Sequence, residues 1–213
     1  MTRKFVGPVL VGAMALFSLA VYPLLPERIP VHWGLSGDVD GWTAKWPGAF
    51  MAPALALGIW LLLQVLPKVD PRRRNYERFQ ETYWVLVNVI IGFIGLVHVL
   101  SLGTALGWPI AVPRVILVLV GLLFVALGNY LPRLRPNWWM GIRTPWTLEN
   151  DRVWRDTHRL GGKTFVVAGL LMMIAAFLPP ALALAAMVGA MLLGAGVPLV
   201  YSYVLWRREQ RSV

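Results

Sequence analysis

YWVLVNVIIGFIGLVHVLSLG, residues 83–103, decides the fold class, because it holds no Asp, Glu, Lys or Arg. About 20 mostly apolar residues in a helix cross the hydrocarbon core of a bilayer. Three further stretches, 5–25, 47–67 and 111–131, meet the same criterion with few or no ionisable groups. The last apolar block, 164–206, is uncharged throughout but carries Pro179-Pro180 at its centre. A continuous helix cannot absorb that pair without a break. Two helices, about 164–178 and 181–206, are therefore expected there. The fold class read from this pattern is all-α: a polytopic integral membrane protein with six transmembrane helices, forming one membrane domain over residues 1–213. Two connections are long enough to hold chemistry or recognition, 26–46 and 132–163.

Composition agrees. Hydrophobic residues make up 58% of the chain and charged ones 14%, which places it in the membrane class. With no cysteine, disulfides, thiolate nucleophiles and cysteine metal sites are excluded. The first apolar block follows Arg3 and Lys4, but it is too long for a signal-peptide core and ends in Tyr22-Pro23-Leu24-Leu25-Pro26, so it is expected to stay as the first helix. The net charge of +10 follows the loops of a membrane protein and argues against a nucleic-acid partner. All but three of the 20 Lys and Arg residues fall on the side of the N-terminus; the exceptions are Arg28, Lys45 and Arg114. The positive-inside rule then puts both termini in the cytoplasm. Loop 26–46 becomes outer and loop 132–163 inner, and the basic inner face meets anionic lipid. Trp33, Trp42, Trp46 and Trp108 mark one interface and Trp84, Trp138, Trp139, Trp146, Trp154 and Trp206 the other.

The outer loop combines His32, Trp33, Asp38, Asp40 and Trp42 with several turn formers. Asp38-x-Asp40-Gly41 lacks the later acid that a calcium loop needs. His32, Asp38 and Asp40 are metal-ligand candidates for a divalent ion such as zinc, given a further ligand from elsewhere. The simpler reading, and the favoured one, is a set of Asx-type turns. His98, in the third span, reads as a packed, hydrogen-bonded residue, and Gln64, Asn88, Ser101 and Asn129 as interhelical hydrogen-bonding groups. No Asp, Glu, Lys or Arg lies deep in a span, so an acidic proton relay or cation coupling site has little support.

In the inner loop, Thr144-Pro145 signals a helix start and Gly161-Gly162 a helix end. Trp146, Val153, Trp154 and Leu160 share one face of that helix, which reads as an interfacial amphipathic helix lying on the inner leaflet. Glu149, Asp151, Asp156 and His158 are available for a catalytic or metal cluster, but a salt-bridged surface, with Asp151 and Arg155 as an i,i+4 pair, is favoured. Gly161-Gly162-Lys163-Thr164 lacks the earlier glycine and strand of a phosphate loop.

Asn129-Tyr130-Leu131-Pro132, Pro136-Asn137, Gly141-Ile142-Arg143-Thr144-Pro145-Trp146, Trp154, Thr157-His158-Arg159 and Gly161 together resemble the inner segment of SdpI-type bacterial membrane proteins. Ile29-Pro30-x-His32-Trp33, with Gly37-x-x-Asp40-Gly41, resembles the small uncharacterised domain that commonly precedes it. The resemblance implies a multi-pass protein of the bacterial plasma (inner) membrane. It further implies immunity to, or sensing of, an extracellular peptide toxin, and signalling through a sequestered cytoplasmic repressor; no catalytic set comes with it. The expected partners are the lipid bilayer, the peptide toxin and that transcriptional regulator. The peptide- or ligand-binding candidates are His32, Trp33, Asp38, Asp40 and Trp42. The regulator- or lipid-contacting candidates are Arg133, Arg135, Asn137, Trp138, Arg143, Trp146, Trp154, His158 and Arg159. No cofactor is expected beyond the candidate divalent metal. The competing readings are a membrane-embedded metal-dependent enzyme, using His32 and Asp40 or Glu149 and His158, and a small transporter.

Overall fold

The computed structural model describes residues 2–34 and 37–211. Helix α1 (Val6–Val21) leads through a short helical turn to a β-hairpin, β1 (Arg28–Trp33) and β2 (Val39–Ala44). Helices α2 (Lys45–Val69), α3 (Gln80–Ala105) and α4 (Val112–Tyr130) follow. After the second long loop come α5 (Pro145–Glu149), α6 (Asp151–Ala175), α7 (Pro180–Met191) and α8 (Val197–Arg211), with a π-helical turn at Leu192–Gly196 joining the last two. Among the described residues, five helices are long and apolar enough to cross a membrane: Arg3–Leu24, Lys45–Val69, Gln80–Ala105, Val112–Arg133 and Pro180–Arg211.

The fifth stretch read from sequence, 164–178, is not a separate helix. It is the second half of α6, whose first half carries the charges of the long loop. Gly161-Gly162 therefore does not end a helix, and the reason is packing. A Cβ on Gly162 would lie 2.8 Å from the Gly128 carbonyl oxygen, and one on Gly121 would lie 2.6 Å from that of Gly169. Gly121 and Gly128 on α4 thus face Gly169 and Gly162 on the antiparallel α6, two glycines seven residues apart on each helix. Glycine costs a helix about 1 kcal/mol in propensity. Within a membrane it returns that by letting two backbones touch, since apolar side chains there gain little by leaving lipid.

The all-α expectation is also corrected. Strands β1 and β2 pair as an antiparallel hairpin in place of the expected run of turns. Ile29 is fully buried between Leu25, Ala49 and Leu102, so one face of the hairpin closes the bundle. The ladder is irregular around Pro30 and His32, as proline cannot donate to it. Gly37 has φ +94°, a conformation that other residues rarely adopt.

The polar groups inside the bundle join helices. The Ser18 hydroxyl of α1 donates to the Ala49 carbonyl of α2 at 2.6 Å. Its oxygen lies 2.9 Å from His98 Nε2 of α3. With the serine proton so placed, His98 must be the donor. Asn88 donates to the Arg3 carbonyl and Ser101 to that of Pro30, whereas Asn129 donates within its own helix, to the Val125 carbonyl.

Candidate functional site

The two motif-rich segments sit at opposite ends of the bundle. Pro30 of the hairpin accepts from Ser101 near the C-terminal end of α3. The long loop is tied to Tyr76, which packs on Tyr83 near its N-terminal end. Helix α3 has 26 residues, so the ends are separated by about 39 Å at about 1.5 Å per residue.

At the hairpin end, β pairing brings His32 opposite Gly41, whose absent side chain would have met the His32 Cβ at 2.7 Å. The His32 Nδ1 lies 2.5 Å from Asp40 Oδ1, and both side chains are more than half exposed. Trp42 is 53% exposed, Trp33 half-buried, and Asp38 exposed with its carbonyl accepting from Gly34 N–H. His32 and Asp40 thus meet, flanked by tryptophan. No group of three His, Asp or Glu side chains able to hold a metal occurs among the described residues. The arrangement offers an exposed face of one carboxylate–imidazole pair and aromatic surface.

The long loop at the other end is fastened from behind. Asn137 is fully buried, and its Oδ1 accepts from the N–H groups of Trp139 and Met140 at 2.9 and 2.7 Å. Its Nδ2 donates to the Arg135 and Met140 carbonyls. Asp70, at the end of α2 and 2% exposed, accepts from Arg72 N–H, the Tyr76 hydroxyl and Trp138 N–H at 2.7, 2.8 and 2.9 Å. Burial, then the bond to Asp70, pushes the Tyr76 hydroxyl well above its usual pKa, so it stays a donor. Nothing in the motifs marked Asp70. The signal available was a lone acid between Val69 and Pro71 at the head of a strongly basic connection.

Two side chains of α6 hold the rest of the loop. Trp154 Nε1 donates to the Leu134 carbonyl at 3.1 Å. One turn on, His158 stacks on Trp154 and accepts the Ile142 N–H on Nε2 at 3.0 Å. A backbone N–H can only donate, so the ring proton is on Nδ1, which donates to the Trp154 carbonyl at 2.8 Å. Gly141 passes over the ring at φ +110°, and a Cβ there would lie 2.5 Å from His158 Nε2. Only glycine satisfies both demands. Thr144 and Thr147 form the capping box of α5, and Thr144 also meets Ser202 of α8 at 3.1 Å.

The interfacial helix read from sequence is therefore corrected. It breaks at Asn150, which caps α6, and Val153 and Trp154 are buried against protein rather than presented to lipid. Asp151 pairs with Arg72 of the α2–α3 connection at 2.8 Å and, among the described residues, not with Arg155. Asn137 of the loop and Trp154 and His158 of α6 are buried beneath the surface they position. Arg133, Arg135, Trp138, Arg143 and Arg159 are exposed. Arg143 spans back to the Trp138 carbonyl at 2.6 Å, and Trp146 packs on Tyr203.

Burial lowers the His158 pKa to about 4, against a partial upward pull from its bond to the Trp154 carbonyl. Above pH ~6.5 neither folded nor unfolded chain protonates this ring. Between pH ~6.5 and about 4 only the unfolded chain does, so stability falls as pH falls through that window. The full loss is about 3 kcal/mol, most of it gone by pH ~4. Thermal unfolding of detergent-solubilised protein between pH 7.5 and 4 should show this slope, and His158→Gln should flatten it.

Residues 133–202 match the SdpI/YfhL protein family, and residues 9–57 match a domain of unknown function, DUF1648. The first match runs from the fastened loop through α6 into α8; the second takes in most of α1, the hairpin and the first half of α2. The chain is 25% identical over 216 residues, spanning all of both chains, to a protein of Bacillus subtilis (strain 168) named Immunity protein SdpI. No solved structure matches. The resemblance read from the motifs is thus shown: a segment matching the SdpI/YfhL family model follows one matching DUF1648.

Proposed function

We propose that this SdpI/YfhL-type membrane protein confers immunity to an extracellular peptide toxin in the bacterial plasma membrane. The observation that carries this reading is similarity along the whole chain to an immunity protein, in a fold whose motif-rich segments lie at opposite ends. In this reading the chain crosses the bilayer six times with both termini inside. The charge asymmetry supports that threading, and so does the antiparallel pairing of α6 with α4, which carries the apolar half of α6 alongside a full-length span. The hairpin then faces outward. His32, Trp33, Asp38, Asp40 and Trp42 form its peptide-contacting surface, with exposed aromatic area supplying most of the contact energy. The fastened loop faces the cytoplasm and presents Arg133, Arg135, Trp138 and Arg143 to a regulator, with Asn137, Trp154 and His158 holding that surface in shape. The metal-dependent alternative has only the His32–Asp40 pair behind it, and stoichiometric zinc lost on His32→Ala would favour it.

Expression in a peptide-sensitive strain tests the proposal. Wild type should raise survival against its cognate peptide, and Trp42→Ala should reduce protection about tenfold or more with membrane abundance unchanged, the scale of one aromatic anchor. No gain in survival against any secreted peptide of sensitive neighbours would count against it.

A further inference from the structure

The glycine seam between α4 and α6 leaves a groove open to the outside of the bundle, about 480 Å³ in volume. Pro132, Val166 and Val167 wall it, and Asn129, Arg159 and Lys163 stand at its rim. Arg159 and Lys163 are exposed. Among the described residues neither has an acid within ion-pair distance, while the neighbouring Arg72 and Arg152 are both paired. They lie one helical turn apart, where like charges repel unless an anion sits between them. Beyond Lys163, α6 has no charged residue to its end at Ala175. The groove thus lies where the charged half of α6 gives way to the apolar half, with cations above an apolar slot.

We propose that this groove binds an anionic phospholipid. Its phosphate bridges Arg159 and Lys163, Asn129 adds a neutral hydrogen-bonding group, and an acyl chain lies against Val166 and Val167. Two unneutralised cations select against zwitterionic lipid, whose own ammonium would compete for the phosphate. The site rests on α4 and α6 crossing the membrane, and not on which leaflet their basic ends face.

Native mass spectrometry of the full chain in neutral detergent, titrated with phosphatidylglycerol or phosphatidylcholine, tests this. Wild type should retain phosphatidylglycerol in preference to phosphatidylcholine. Arg159→Gln with Lys163→Gln should weaken retention about twenty-five-fold, each basic group contributing about fivefold. Arg159→Lys with Lys163→Arg should retain it, and Arg73→Gln with Arg74→Gln, at the exposed loop, should change nothing. Val167→Trp fills the slot while keeping both cations, and should also lose the lipid if the glutamine variant fails to fold. Equal binding of the two lipids overturns the proposal, as does unchanged retention in the glutamine variant or an equal loss in the Arg73/Arg74 variant. Retention in detergent is independent of orientation. A basic end found outside the cell would therefore sink the threading and leave this site standing.

Discussion

Asp70→Ala should destabilise the protein by about 4 kcal/mol, the largest effect of any single polar change outside the spans. The carboxylate is 2% exposed and receives three donors, Arg72 N–H, the Tyr76 hydroxyl and Trp138 N–H. Each buried donor left without a partner costs about 1–3 kcal/mol, more when the lost acceptor was charged. The Tyr76 hydroxyl keeps Asn137 Oδ1 within reach at 3.3 Å, so the loss falls mainly on the Arg72 and Trp138 N–H groups. The effect also spreads, because Trp138 N–H is one of the bonds that hold the exposed Trp138 in place. Asp70→Asn keeps one acceptor oxygen and should cost about half as much. Thermal unfolding in detergent reads the stability. Protease sensitivity of residues 132–144 reads the loop. An unchanged cleavage rate in Asp70→Ala would show that the loop is held by other means.

Gly121→Ala should cost about 3 kcal/mol although it adds one methyl group. That methyl would stand 2.6 Å from the Gly169 carbonyl oxygen and also 2.6 Å from the Met173 side chain. A side chain can swing away, but a backbone carbonyl in the middle of α6 cannot, so the helices must part. Overpacking of this kind costs about 1–3 kcal/mol even where neighbours can shift. Gly12→Ala is the matched control. It also lies within a span, but open space surrounds it, and alanine is the better helix former. The control should be neutral or slightly stabilising. Equal effects of the two changes on the unfolding temperature would mean that α4 and α6 do not meet backbone to backbone.

The features legible in sequence were those set by the solvent. Long uncharged runs such as 83–103 announce helices in lipid without any knowledge of their neighbours. The motifs at 29–41 and 129–161 carried the resemblance to the two matched segments. What escaped was set by contacts distant in sequence. Glycine punctuates a helix when read locally, and Gly162 reads as punctuation until Gly128 is seen against it. The hairpin hid behind Pro30, Gly34, Gly37 and Gly41, which read as turns. Their alternation with Ile29 and His32 makes sense only once β1 and β2 pair. Trp154 and His158 looked like surface residues of an amphipathic helix because their partners, the Leu134 carbonyl and Ile142 N–H, are backbone groups that no side-chain pattern displays. Asp70 is the same case from the other direction: an acid whose donors are mostly main chain.

The threading itself is open to one direct measurement, made clean by the absence of native cysteine. Glu27→Cys places a thiol at the exposed base of the hairpin and Arg74→Cys places one in the exposed basic connection. A membrane-impermeant maleimide applied to intact cells should label the first at once and the second only after the membrane is opened. Labelling of both from the same side, or of Arg74→Cys alone in intact cells, would contradict a protein that shows its hairpin to the outside and its fastened loop to the cytoplasm.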